Sequence, residues 1–285
     1  MSGITGSITG SFMGSGGTGT PAGPADKNTA SDGAEHRIKV WAHRGASGYA
    51  PENTMEAYIL AHQYGADGIE LDVQLSKDGE IVVIHDEKID RTSNGRGLVR
   101  SFTVKQLRGY NYNRTNPTHF HAQIPTLREV LEYVHDQTRM TINIELKTGV
   151  YFYPGIEERT VALVHELDMH NRVIYSSFNH YSIRKIQEID PGARVGLLYS
   201  DGFIDVPKYA SELGVNALHP KWIDLQYPNY LEDCRTYGLD LNVWTINSEE
   251  LMRQMCQAGV HAIITNYPDK AVRIRDEYER AFARV

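Results

Sequence analysis

Hydrophobic and polar positions follow two alternating rhythms along the chain from Arg37 onward. Short runs rich in Val, Ile, Leu and aromatic residues predict strands, because such side chains suit a pleated, buried surface. These runs are 38–43, 68–75, 140–146, 172–178, 194–199, 215–220, 241–246 and 262–266. Amphipathic stretches separate most of them, and one apolar series at helical spacing within 54–65 consists of Met55, Tyr58, Ile59 and His62.

Three segments carry the signals of a helix N-terminus. Thr126 and Glu129 have the spacing of a capping box, and they precede an apolar face made of Leu127, Val130, Leu131 and Val134. Two further starts are Asn53-Thr-Met-Glu56 and Asn247-Ser-Glu-Glu250. The chain therefore alternates strands with helices, as α/β proteins do.

The number and spacing of these units suggest the architecture. Eight strand–helix units in about 250 residues match the length and rhythm of a (β/α)8 TIM barrel. A doubly wound open sheet has the same rhythm and is the alternative. We predict the barrel, with a hairpin and a small insertion after the second strand.

The hairpin is predicted from an Asp78-Gly79 pair between two β-rich runs, which is a strong signal for a two-residue turn. A turn of that kind would set Asp72 directly opposite His85. Residues opposite each other, and residues two apart in one strand, share a face. The pattern therefore predicts that Glu70, Asp72 and His85 project to the same side of the sheet.

Two segments fall outside the regular rhythm. Residues 86–124 show no clear period, and we interpret them as an insertion subdomain beside the active face. Residues 1–36 hold 9 of the 25 glycines and are dense in Ser and Thr, so they cannot bury enough apolar surface to fold. We interpret them as a disordered leader or vector remnant and assign 37–285 to one TIM-barrel domain.

Charge and cysteine content exclude several classes of protein. Lys and Arg number 29 against 36 Asp and Glu, a net charge of −7 that argues against a nucleic-acid-binding surface. No apolar run reaches the roughly 20 residues of an integral membrane segment. The N-terminal segment lacks the features of a signal peptide, and two cysteines are too few for a disulfide framework. A cytoplasmic location is therefore expected.

Candidate chemistry gathers where a barrel places its active site, at the carboxyl ends of the strands. The polar and aromatic residues at those positions are His43, Arg44, Glu70, Asp72, His85, Glu145, Lys147, Trp244 and Asn266. Carboxylates inside apolar runs are costly unless they are paired or bind a metal. Glu70, Asp72 and Glu145 form an oxygen-only set, which suits Mg²⁺ or Ca²⁺ better than Zn²⁺.

The groups around these carboxylates indicate the reaction. Arg44 and Lys147 place two cations beside a metal site, which suggests a phosphate substrate. His43 and His85 suggest a general acid and a general base that work near neutral pH. A single buried histidine taken alone is more often a satisfied core residue than a catalyst.

Taken in order, these residues resemble the glycerophosphodiester phosphodiesterases, which are phospholipase-C-like TIM barrels. The resemblance spans about residues 38–270 and rests on the segments HRGASGYAPENTMEAY (43–58), GADGIELDVQLSKDGEIVVIHD (65–86), NIELK (143–147), SSF (176–178), VWTIN (243–247) and IITNYPD (263–269). It is specific, because several uncommon polar positions must match in order and spacing.

The resemblance implies a role for each candidate. His43 and His85 match the acid and base histidines, and Arg44 matches the phosphate-binding arginine. The metal-binding carboxylates would be Glu70, Asp72 and Glu145, with Lys147 beside the metal and with Trp244 and Phe178 near the alcohol part of the substrate. The ion, Mg²⁺ or Ca²⁺, stays open, as does the assignment of acid and base between the two histidines.

The resemblance also implies a reaction, in which a glycerol hydroxyl attacks phosphorus, a cyclic phosphate forms, and water opens it to glycerol 3-phosphate. The expected partner is a small-molecule glycerophosphodiester, in glycerol and lipid metabolism. The alternatives are a lysophospholipase D or sphingomyelinase D-like enzyme on the same barrel, a catalytically dead binding barrel, and an unrelated metal-dependent barrel that makes enolates. The leaving alcohol and the oligomeric state, with a homodimer as one option, stay open.

Overall fold

The computed structural model describes residues 37–282, and the predicted leader 1–36 lies outside them. The strands are β1 (Lys39–His43), β2 (Gly68–Leu75), β3 (Ile81–Val83), β4 (Thr141–Leu146), β5 (Val173–Ser177), β6 (Val195–Leu198), β7 (Ala217–His219), β8 (Asp240–Val243) and β9 (Ala262–Thr265). The helices are α1 (Met55–Gln63), α2 (Val104–Leu107), α3 (Leu127–Gln137), α4 (Ile156–Glu166), α5 (His180–Ile189), α6 (Val206–Leu213), α7 (Tyr230–Thr236), α8 (Glu249–Ala258) and α9 (Pro268–Phe282).

Parallel strands close the sheet into a barrel. The order around it is β1, β2, β4, β5, β6, β7, β8 and β9, and β9 pairs back onto β1. β3 is the extra strand and runs antiparallel to the end of β2. The predicted (β/α)8 TIM barrel with a hairpin after its second strand is thus confirmed, and the open-sheet alternative is wrong.

The helices bury the apolar faces that the pattern predicts, with local differences at their ends. The Thr126 capping box is present, and the predicted face of α3 is buried. Thr54 and Ser248, each one residue later than predicted, are the N-caps of α1 and α8. The apolar series predicted for α1 is wrong at Ile59, which is 38% exposed, and at His62, which is also exposed. Within residues 37–282, no helix combines the length and the apolar character needed to cross a bilayer.

The hairpin forms, but its predicted register is wrong by one residue. Val73 pairs with Val83, and the Ile84 N–H donates to the Asp72 carbonyl at 2.9 Å, so Asp72 lies opposite Ile84 and not His85. The turn has three residues because the Lys77 N–H donates outside the hairpin, to the Phe102 carbonyl. A glycine with φ +81°, at position 79, ends this turn.

Segment 86–124 packs a small core of its own against the hairpin. The buried residues of this core are Val82, Ile84, Ile89, Val99, Leu107, Tyr112 and Ile124. The segment follows β3 and returns to α3, so it lies beside the strand end that carries His85. This separate packing supports the division that we propose, an insertion at 86–124 within a barrel domain at 37–285.

A buried histidine links the stability of the barrel to pH. The His219 ring is fully buried, and its Nε2 accepts a hydrogen bond from Asn242 Nδ2 at 3.0 Å. Burial, followed by the charge of His261, lowers the pKa of His219 from 6.5 to about 3. The folded protein therefore keeps the ring neutral at pH values where the unfolded chain protonates it.

We expect the free energy of unfolding to fall as the pH drops below 6.5, because the unfolded state then binds the additional proton. Between pH 6.5 and 5.0 this group alone should remove about 2 kcal/mol. The substitution His219→Gln should abolish that part of the pH dependence, which urea unfolding of both proteins at pH 7.5 and 5.0 would measure. Equal losses in the two proteins would contradict this role for His219.

Candidate active site

The carboxyl ends of β1, β2 and β4 bring the predicted carboxylates together. The strand register pairs His43 with Glu70 and Asp72 with Glu145. Glu70 and Asp72 are two residues apart in β2, so both project from the same face of the strand. One oxygen from each of the three carboxylates lies within 4.8 Å of the other two, and all three side chains are buried.

Buried carboxylates at this separation repel one another. Burial, and then the charges of Asp72 and Glu145, raise the pKa of Glu70 well above its ordinary value. Burial also raises the pKa of Glu145, although Lys147 Nζ donates to its Oε1 at 2.7 Å. For Asp72 burial acts in the same direction, but the charge of Arg44 and its neighbours prevails and lowers the pKa below the usual range.

This set of donors fits a hard divalent cation. The ligand atoms of Glu70, Asp72 and Glu145 are all oxygens, which Mg²⁺ and Ca²⁺ prefer. Asp72 Oδ1 is buried without a hydrogen-bond partner, and Lys147 Nζ, at 3.8 Å, is too far to donate to it. A bound cation would both satisfy this oxygen and offset the repulsion within the cluster.

His43, at the end of β1, has one ring nitrogen held and the other turned to the cluster. Its Nδ1 donates to Asn266 Oδ1 at 2.7 Å, and its Nε2 lies 4.0 Å from Glu70 Oε2. Burial, followed by the charge of Arg44, lowers the pKa of His43 to about 4. The ring is therefore neutral near pH 7, with a lone pair on Nε2 that can accept a proton.

A tight turn after His43 places Arg44 over the carboxylates. The backbone of Arg44 has φ +55°, and its N–H donates to Glu70 Oε2 at 2.8 Å. Gly45 follows with φ +79°, and a Cβ at that position would lie 2.6 Å from Ala57 Cβ. Only glycine allows this loop to pack directly against α1 while keeping the Arg44 backbone in contact with Glu70.

His85 reaches the same cavity by a route that the hairpin register did not predict. β3 ends at Val83, and the chain then leaves the ladder. The buried Gln74 Nε2 donates to the carbonyls of Ile84, His85 and Asp86 at 3.1, 3.0 and 2.8 Å. His85 Nδ1 donates to Asp86 Oδ1 at 2.6 Å, so its Nε2 is the free ring nitrogen.

A chain of ion pairs connects Arg44 to His85. Glu52 Oε1 accepts from Arg44 Nη1 at 2.8 Å and from Arg91 Nη2 at 2.8 Å. Arg91 Nε donates to Asp86 Oδ2 at 2.7 Å, and Asp86 in turn accepts from His85. The charges alternate from Arg44 to Asp86, and the connected contacts fix two candidate reactive groups, Arg44 and His85, relative to one another.

Asn53 belongs to the site and is not the helix cap that the sequence suggested. Its Nδ2 donates to Asp72 Oδ2 at 2.8 Å, and its Oδ1 accepts from the Tyr58 hydroxyl at 2.8 Å. Its backbone lies in the left-handed region at φ +55°, so Thr54 takes the cap position instead. Asn53 thus orients one carboxylate of the acidic cluster.

Seven of the nine predicted site residues line one cavity of about 150 Å³ at the mouth of the barrel, and the other two, Asp72 and Lys147, contact residues of that lining. Its lining comprises His43, Arg44, Glu70, His85, Asn143, Glu145, Phe178, Leu198, Trp244 and Ile264. Phe178 and Trp244 form an edge-to-face pair with ring centroids 5.7 Å apart, at 87°. A larger cavity of about 300 Å³ lies at the opposite end of the barrel and contains none of the predicted site residues.

The sequence correctly grouped the nine candidate residues at the strand ends, but it did not reveal most of the residues that orient their side chains. Gln74, Asp86 and Arg91 were not singled out, and their contacts join segments that are far apart in the chain. A signal was present for Gln74, because it is a polar residue in a strand whose residues are otherwise mostly apolar. Arg91 lies in the aperiodic segment 86–124, where spacing carries no information.

Comparison with known proteins bears on the resemblance noted in the sequence. The sequence profile of the glycerophosphoryl diester phosphodiesterase family matches residues 43–270. A glycerophosphodiester phosphodiesterase of Caldanaerobacter subterraneus subsp. tengcongensis is 42% identical over 236 residues, covering 82% of this chain and 96% of that protein. One of Bacillus altitudinis is 39% identical over 248 residues, covering 84% and 98%.

Solved structures agree with this match. An Oleispira antarctica phosphodiesterase, determined in complex with the product sn-glycerol-3-phosphate, has a TM-score of 0.74 at 30% identity and covers 84% of this chain and 96% of its own. The predicted resemblance is confirmed by the match over residues 43–270 and by the two curated relatives. Because profile and relatives agree over most of its length, the chain belongs to the glycerophosphoryl diester phosphodiesterase family.

Proposed function

We propose that this chain hydrolyses glycerophosphodiesters to an alcohol and glycerol 3-phosphate. The observation that carries the proposal is the placement of three carboxylates, two histidines and Arg44 around one cavity. The relative that was solved with sn-glycerol-3-phosphate supports the choice of substrate. The family membership supports the reaction type.

A divalent cation, Mg²⁺ or Ca²⁺, would be held by Glu70, Asp72 and Glu145. When bound, it would supply positive charge to neutralise the phosphoryl oxygens. Arg44 Nε is buried without a hydrogen-bond partner, 3.4 Å from Asp72 Oδ2, and its guanidinium would contact the same oxygens. Lys147 balances the charge of Glu145 and Asp72 from the side of β4.

The histidines would move the protons. The glycerol hydroxyl next to the phosphoester attacks phosphorus while one imidazole Nε2 accepts its proton, and the bond from phosphorus to the leaving oxygen breaks as the other imidazole protonates that oxygen. The product of this step is a cyclic phosphate. Water then opens the ring with the two histidines, His43 and His85, in exchanged roles. The neutral state of His43 near pH 7 supports its use as a proton acceptor.

A second candidate is a lysophospholipase D or sphingomyelinase D-like activity at the same site. Exposed apolar side chains on the loops that follow β4 and β6 favour it, since Phe152, Phe203 and Ile204 are 73%, 63% and 92% exposed. An acyl chain that leaves the cavity would find apolar surface there. The deacylated diesters remain the first choice, because they require only the cavity itself.

The test is to assay the purified protein on glycerophosphodiesters and on lysophospholipids, with Mg²⁺ or Ca²⁺ and with a chelator. We expect release of glycerol 3-phosphate with the cation present, and phosphorus NMR should show a cyclic phosphate before the opened product. Stronger turnover of lysophospholipids would favour the second candidate. Absence of turnover on every phosphodiester would overturn the proposal.

A further inference from the structure

A second lysine stands at the mouth of the barrel, opposite the acidic cluster. Lys221 follows β7, and in the closed ring of strands β7 is the strand farthest from β2. The register continues past the strand ends, where Lys221 bridges Trp244 in parallel and the Trp222 N–H donates to the Trp244 carbonyl at 3.2 Å. Lys221 therefore sits at the same height in the barrel as Trp244, which lines the cavity.

The side chain of Lys221 points into the mouth. It is two residues beyond His219, whose ring is buried inside the barrel, and its own backbone is extended, so both side chains are on the same face. Lys221 Nζ lies 5.7 Å from the centroid of the Trp244 ring. This distance allows a cation–π contact.

The two lysines of the mouth differ in their partners. Lys147 Nζ donates to Glu145 and lies 5.8 Å from the Phe178 ring, so its charge is already balanced. Within residues 37–282, no carboxylate lies within 4.0 Å of Lys221 Nζ. Asp224, three residues along, is buried, and burial raises its pKa while the charge of Lys221 opposes that rise, so the two side chains interact without a direct ion pair.

Without the two lysines, the Phe178–Trp244 pair would suit a cationic group of the substrate. Phe178 and Trp244 meet at 87°, a corner in which an ammonium group could contact ring faces. With Lys221 over one ring and Lys147 over the other, an incoming ammonium group would meet two positive charges. An anionic group in the same place would instead gain, as its partner, a half-buried cation that makes no direct ion pair within residues 37–282.

We propose that Lys221 selects substrates whose leaving alcohol carries its own anionic group, such as a phosphate, over those with a choline or ethanolamine alcohol. The proposal rests on the proposed function, because it assumes that the phosphodiester lies at the acidic cluster. The leaving alcohol then extends across the cavity from β2 toward β7, past Phe178 and Trp244. Lys221 acts here as a specificity-determining residue and takes no part in proton transfer.

The experiment compares three diesters: glycerophosphoglycerol, the same compound with a terminal phosphate on the leaving glycerol, and glycerophosphocholine. For the wild-type protein we expect kcat/KM to be highest for the phosphorylated diester and lowest for the choline diester. Lys221→Met should lower the phosphorylated-to-neutral ratio of kcat/KM by about tenfold, the low end for a close charge pair. The same variant should raise the choline-to-neutral ratio, and Lys221→Glu should raise it further.

Two control variants separate charge selection from damage to the fold. Lys221→Arg keeps the charge and should keep the wild-type order of substrates. Lys208→Met removes one positive charge from the exposed face of α6 and should leave all three ratios unchanged. Equal thermal unfolding temperatures of the Lys221 variants and the wild type would show that the fold is intact.

The outcomes that oppose the proposal are distinct. If the neutral diester is hydrolysed but Lys221→Met leaves the ratios unchanged, or lowers all three rates equally, the selective role of Lys221 is overturned and the phosphodiesterase function stands. A wild-type preference for the choline diester overturns it in the same way. If none of the three diesters is hydrolysed, the proposed function fails together with this inference.

Discussion

Replacing either histidine of the cavity should reduce turnover by about 10³-fold, the range expected for loss of general acid–base catalysis. His43→Gln keeps a donor for Asn266 Oδ1, and His85→Gln keeps a donor for Asp86, but glutamine has no group that exchanges a proton near pH 7. We expect the loss in kcat with little change in KM, because neither ring is needed to hold the diester. Steady-state kinetics on glycerophosphoglycerol would measure both constants.

A substrate with a better leaving group can tell the two histidines apart. Nitrophenolate needs no proton to depart, so a 4-nitrophenyl diester of glycerol phosphate should recover most of its rate in the variant that lacks the general acid and none in the variant that lacks the base. His135→Gln, a change on the exposed face of α3, is the control and should retain wild-type rates. A kcat within tenfold of wild type in either cavity variant would remove that histidine from the mechanism.

Neutralising one member of the acidic cluster should have opposite effects on catalysis and on the stability of the cation-free protein. In Glu70→Gln and Glu145→Gln, we expect divalent cation affinity and kcat/KM each to fall by at least about 10²-fold. In chelator, the same variants should unfold at a temperature about 2–4 °C higher than wild type, which corresponds to ~1 kcal/mol of relieved repulsion. The raised pKa of Glu70 and Glu145 is the physical basis for that gain.

Calorimetric titration with Mg²⁺ and Ca²⁺, and thermal unfolding with and without chelator, would measure the two effects separately from activity. Glu188→Gln, an exposed change on α5, is the matched control and should alter neither. A Glu70→Gln variant that binds cations as tightly as wild type would show that the cluster is not the metal site. If Glu70→Gln or Glu145→Gln lowers the unfolding temperature in chelator, the carboxylates of the cluster do not repel one another in the cation-free protein.

The fold and the candidates were accessible from sequence because periodicity and strand ends are local signals. Strand runs such as 68–75 and 262–266 match β2 and β9 within one residue, and the barrel follows from their number and spacing. Residues at strand ends converge whenever the sheet closes, so Glu145 could be grouped with Glu70 without coordinates.

The remaining features depend on tertiary contacts that spacing does not encode. The hairpin register shifted because Lys77 bonds to Phe102, which lies in a segment that has no periodicity. Asn53 is not the N-cap of α1, because its side-chain amide donates to Asp72. His85 was placed correctly for an incorrect reason, since Gln74 and not the strand ladder directs it to the cavity.

The ion-pair chain from Arg44 through Glu52, Arg91 and Asp86 to His85 has a consequence for protein engineering. Arg91 belongs to segment 86–124 but also holds the first loop of the barrel in place. Grafting this segment from a relative in order to change substrate range would therefore also exchange the residues that hold the His85 imidazole. Chimeras that retain Asp86 and Arg91 from the recipient, and join the donor segment after them, should keep turnover while the substrate range is varied.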